Sequence, residues 1–172
     1  MRGMRTGPIF YGLLLAAGLI TFVVHEGAHW AMAQGLGYEG FFSLNRAGAR
    51  GTVTPEHRLL ITAAGPAATL LQGAIAWALV QARGSRLAWA FLFQAAFMRL
   101  MATVISLWNP NDEARIGAEL GLGTWTLPLL VTLGLFLLLA LGSRRLRVGW
   151  ATLGLSWLAA SAGVTAIVFS GL

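Results

Sequence analysis

Apolar residues gather along the chain in five long blocks, separated by short polar or glycine-rich breaks. The blocks cover residues 8–34, 58–80, 87–108, 125–141 and 148–169. A helix needs about 20 apolar residues to cross a hydrocarbon layer about 30 Å thick. The pattern therefore predicts an all-α integral membrane protein with about five transmembrane helices, the fourth being the shortest. Pro8 suits the first turn of the first helix, and Gly35 and Gly37 suit its stop. Residues 36–57 break the helical pattern. Stretches 38–44 and 51–54 have strand-like content around a turn at 45–48, which predicts a short β-hairpin or a glycine-rich loop at the membrane surface. Residues 114–124 read as a glycine-punctuated connector, and 144–147 as a turn. One membrane domain spans 1–172. Within it, 8–112 forms a three-helix core carrying the surface hairpin, and 125–170 supplies two scaffold helices without ionisable residues inside the spans.

Composition supports this reading. The chain is 57% hydrophobic and 10% charged, whereas about a quarter of a soluble domain is charged. The absence of cysteine excludes disulfides and thiolate metal sites. The net charge of +6 comes from arginine alone. These arginines stand at the ends of apolar runs, where they anchor helices in the interface. They carry no nucleic-acid signal. Arg99 is the exception: it falls inside the third span and needs a partner, a cavity or a route to the interface.

The first span contains His25-Glu26-Gly27-Ala28-His29, an H-E-x-x-H motif. Positions i and i+4 of a helix lie one above the other, so both imidazoles can reach one metal ion. Glu26, beside that stripe, can take a proton from a water. Ionisable residues inside a membrane are costly and functional by default, which favours a metal site over two packing histidines. Met1 to Ala33 also has the layout of a secretory signal peptide, with Ala31-Met32-Ala33 as a cleavage site. His25, Glu26 and His29 would be out of place in a discarded segment.

The motif lies toward the far end of span 1, and Asp112 lies just past the same end of span 3. Two segments distant in sequence thus bring His, His and carboxylate to one depth. Asp112 is the expected third ligand, with Glu113 and Glu119 as alternatives. His57, at the start of span 2, reads as solvated. Ala64-Gly65-Pro66, among small residues that let helices approach closely, predicts that span 2 packs on span 1 near the metal.

With these residues assembled, the chain resembles the site-2 protease family of intramembrane zinc metalloproteases. The resemblance rests on His25-Glu26-x-x-His29, on Ala64-Gly65-Pro66 and on the Asn-Pro…Asp segment at Asn109 to Asp112, about two-thirds of the chain. It implies zinc bound by His25, His29 and Asp112, Glu26 as the general base, and Asn109 as a substrate-positioning residue. The loop after span 1 would offer a strand edge to a membrane-protein substrate. The chain departs from the family in having Glu113 where glycine usually follows the aspartate, and a compressed Asn-Pro to Asp spacing. No regulatory domain accompanies the core. The alternative reading is a non-catalytic metal-binding membrane protein, a pseudo-protease or a metal carrier.

The expected location is a multi-pass position in a prokaryotic cell membrane. Seven arginines (Arg2, Arg5, Arg83, Arg86, Arg144, Arg145, Arg147) fall on the side where span 1 begins, and four (Arg46, Arg50, Arg58, Arg115) on the other. The positive-inside rule puts the N-terminus in the cytoplasm. The resemblance implies the opposite orientation.

Overall fold

The structure, a computed structural model, describes Met4 and residues 6–169. Arg2 and Arg5 lie outside the described residues. Six helices and one hairpin follow in the order α1 (Pro8–Gly35), β1 (Gly40–Ser43), β2 (Arg46–Ala49), α2 (Pro55–Arg83), α3 (Arg86–Ile105), α4 (Asp112–Glu119), α5 (Thr126–Leu146) and α6 (Trp150–Phe169). Five of the helices are long and apolar enough to cross a membrane.

The helix ends are set by local chemistry. Pro8 and Pro55 open α1 and α2, where a missing N–H costs nothing. Thr54 and Ser85 cap α2 and α3 by accepting from the backbone N–H groups of His57 and Ala88. Gly84, at φ 61°, ends α2 in the left-handed region.

Helix α3 is central and touches α1, α2, α5 and α6. Its Trp89, Phe93 and Phe97 are fully buried. Two glutamines tie the first three helices. Gln72 donates to Thr21 Oγ1 at 2.8 Å and to the Phe91 carbonyl at 3.3 Å. Gln94 donates to the Leu14 carbonyl at 2.8 Å. A Cβ on Gly18 would come within 2.9 Å of the Gln94 amide, so a side chain there would have to displace that amide from its bond to Leu14. Interhelical polar bonds and close small-residue contacts are how helices associate where lipid replaces water. The outer surface is correspondingly apolar: Leu71, Leu130, Leu133, Leu137 and Leu158 are all more than 60% exposed. Trp108 and Trp150, 79% and 89% exposed, stand at opposite ends of the bundle, as interfacial aromatics do.

Three sequence expectations are corrected. The hairpin turn is Leu44-Asn45, not 45–48, and the second strand is 46–49, not 51–54. Gly48 is a strand residue, paired with Phe41. A Cβ there would lie 3.3 Å from the Phe41 ring, so this glycine makes room for a cross-strand aromatic. The supposed connector after Asn111 contains α4, with the acidic residues Asp112 and Glu113 favourably placed in its first turn. The fourth span is 21 residues long rather than the shortest; α3 has 20. It continues through Arg144 and Arg145, cations that suit the negative end of a helix, and stops at Arg147, which adopts a positive φ of 52°.

Candidate metal centre

His25 and His29 lie one turn apart on α1, both buried. Asp112, at the first position of α4, is the third member of a group whose ligand atoms converge. His25 Nε2 is 3.2 Å from Asp112 Oδ2, His29 Nε2 is 3.3 Å from the same oxygen, and the two Nε2 atoms are 3.2 Å apart. Tetrahedral zinc ligands about 2.0–2.1 Å from the ion stand about 3.3–3.4 Å from one another. The triangle therefore fits three corners of such a tetrahedron.

The imidazole tautomers follow from the other ring nitrogens. Thr69 Oγ1 gives its proton to the Gly65 carbonyl at 3.1 Å. It can then only accept from His25 Nδ1, 3.0 Å away. The carbonyl of Ile61 accepts from His29 Nδ1 at 2.6 Å. Both Nδ1 atoms carry hydrogen, so both Nε2 lone pairs face the carboxylate oxygen. Three acceptors at this spacing repel one another unless a cation or a proton lies between them. Partners on the distal nitrogen that fix a ligating imidazole are a regular feature of metal sites.

Helix α2 comes close enough to supply those partners because Gly65 has no side chain. A Cβ at Gly65 would lie 2.6 Å from His25 Cε1 and 2.7 Å from His29 Cε1, and would strike His29 Nε2. The expected approach of the Ala64-Gly65-Pro66 stretch to the motif helix is thus present, and α2 stays helical through Pro66.

Asp112 is delivered by a stapled loop. The Asn111 backbone N–H donates to Ser106 Oγ at 3.1 Å, and its side chain to the Ala102 carbonyl at 3.4 Å. Burial opposes ionisation of Asp112, but once His25 or His29 carries a proton on Nε2 its hydrogen bond and charge hold the carboxyl well below the usual range. The alternative ligands are engaged elsewhere. Glu113 Oε1 meets Arg99 Nη1 at 2.8 Å, both side chains being buried. Glu119 pairs with Arg58 at 3.1 Å on the surface. His57 is half-buried rather than solvated, with Nδ1 2.8 Å from the Tyr38 hydroxyl.

A cavity of about 710 Å³ adjoins the triad. Glu26 lines it with His25, His29 and Asp112, and the backbone of Ala47 hydrogen-bonds the Glu26 carboxylate. Asn109 lies on the cavity wall, exposed, in the loop after α3. Strand β2 forms one side. The Arg50 N–H bonds the Glu39 carbonyl, so alternate pairs along the ladder bond in register. The backbone groups of Ala47 and Ala49 consequently point away from β1. On the outer side of β1, Gln34 accepts the Gly40 N–H at 2.9 Å.

Thr69, Ile61 and Asn111 are the contributors that sequence reasoning missed. Only Thr69 left a trace, as a hydroxyl one turn after Gly65. Comparison with protein-family models, curated proteins and solved structures finds no match to this chain.

Proposed function

We propose that this chain is an intramembrane zinc endopeptidase of the site-2 protease kind, cutting a transmembrane or membrane-proximal segment of a protein substrate. The observation that carries the reading is the triangle of His25, His29 and Asp112, with both imidazole tautomers set for coordination, beside a cavity that also holds Glu26. Two imidazoles and one carboxylate, leaving a position open, form a ligand set of hydrolytic zinc sites.

A zinc ion so held supplies Lewis-acid polarisation of a carbonyl and makes water more acidic, to a pKa of about 7. Glu26 takes a proton from the attacking water as the new C–O bond forms at the scissile carbonyl. It returns that proton to the amide nitrogen as the C–N bond breaks. The products are a carboxylate and an amine. A helical substrate must first unwind, which frees backbone groups that lipid cannot satisfy. The outward-facing backbone of Ala49 on β2, together with the Ala47 carbonyl, can pair with such an extended segment. Asn109, on the same cavity, would help hold it.

The test is Glu26→Gln in the full-length protein reconstituted with a membrane-protein substrate. Retained zinc with loss of cleavage is expected. Full cleavage would remove the role given to Glu26, and a wild-type protein that binds zinc yet cuts no substrate would favour a pseudo-protease or a carrier.

A further inference from the structure

We propose that the buried Arg99–Glu113 ion pair aims Asp112 at the two imidazoles, which makes Arg99 a positioning residue of the metal centre. This rests on the reading of the triad as a metal site. Helix α4 has eight residues, too few to be stable alone, so its direction depends on what ties it down. Arg58–Glu119, at its far end, joins side chains 57% and 35% exposed, and surface pairs hold little. Asn111 fixes the height of the loop on α3 but lies before the helix begins. Glu113 is in the first turn, next to Asp112, and reaches Arg99 at 2.8 Å with 3% and 5% of the two side chains exposed. Consecutive helical residues point about 100° apart. Helix α4 packs on α2 and α5, and Glu113 held against α3 completes the fixing of its rotation so that Asp112 faces α1.

Stability alone is a poor account of this pair. Burying two charges costs several kcal/mol per ion, and apolar replacements are often neutral or better. What it adds is a fixed direction. A ligand oxygen must sit within about 0.2 Å of its coordination distance, and a two-turn helix held only by its packing on α2 and α5 would keep it there less closely.

The experiment uses full-length protein in detergent, loaded with Co²⁺ as a spectroscopic probe. The variants are Arg99→Met/Glu113→Leu, which removes both charges together, Glu113→Gln, which keeps the shape, and the reversed pair Arg99→Glu/Glu113→Arg. Asp112→Ala gives the floor. We expect the double apolar variant to fold but to bind Co²⁺ at least about tenfold more weakly, with its visible absorption moved away from the tetrahedral pattern. The reversed pair should recover part of both. Should the double variant not fold, Glu113→Gln decides, with a weaker affinity and a shifted spectrum expected. Wild-type Co²⁺ affinity and spectrum in the folded double variant, or in Glu113→Gln, would overturn the proposal. A wild-type protein that binds no Co²⁺ would overturn the metal centre itself, and cleavage activity enters neither readout.

Discussion

Thr69 accepts the Nδ1 proton of His25 at 3.0 Å because its own hydroxyl proton is committed to the Gly65 carbonyl. A hydroxyl that could turn either way would leave the tautomer of His25 undecided. This one cannot, and the Nε2 lone pair is therefore held toward Asp112. Thr69→Val keeps the shape and removes the acceptor. Metal affinity should fall by about 10- to 100-fold, with the helical circular dichroism unchanged, as measured by competition with a chelator.

Gly65 sets the distance between α2 and the imidazoles. Gly65→Ala puts a methyl group against both rings, and overpacking of this kind costs about 1–3 kcal/mol. The variant should lose stoichiometric metal and melt at a lower temperature. Gly27→Ala, inside the same motif, is the control: a Cβ there meets nothing within 4 Å. It should bind metal normally and be stabilised by up to about 1 kcal/mol.

Protons and metal compete for the same triangle. Asp112, held low by its imidazole neighbours, stays ionised as the pH is lowered from neutrality, so the protons that displace the metal go to His25 and His29. Affinity is therefore highest on the alkaline side and is lost as the pH falls. Metal release on stepwise acidification, followed by a fluorescent chelator, checks the sign. A release curve that rises with pH would contradict it.

The edge of β2 is testable without touching the metal. Ala49 is paired with Gly40 at a position whose N–H points away from β1. Proline there spares the hairpin and removes one donor from the open edge. Ala49→Pro should keep its metal and lose roughly tenfold in kcat/KM on a membrane substrate, the worth of about one hydrogen bond.

The parts of this site that the sequence made legible are those fixed by short-range geometry. His25 and His29 share a helix face whatever surrounds them, and Asp112 could be placed by counting spans. Five apolar blocks emerged as five helices. The remainder depends on pairings that sequence separation hides. Glu113 and Glu119 could not be set apart from Asp112 until Arg99 and Arg58 were seen to hold them, 14 and 61 residues away. Thr69 and Ile61 act through one atom each, and a carbonyl leaves no trace in composition. Gly48 misled because a glycine that admits an aromatic ring is written the same way as a glycine that turns a chain.

The central claim is that one divalent ion is held by His25, His29 and Asp112, and X-ray absorption at the zinc edge on purified, zinc-loaded protein addresses it directly. The account predicts one zinc per chain, with two imidazole nitrogens and a carboxylate oxygen at about 2.0–2.2 Å, and loss of that signal in Asp112→Ala. Protein without stoichiometric zinc, or an Asp112→Ala variant with an unchanged spectrum, would contradict it.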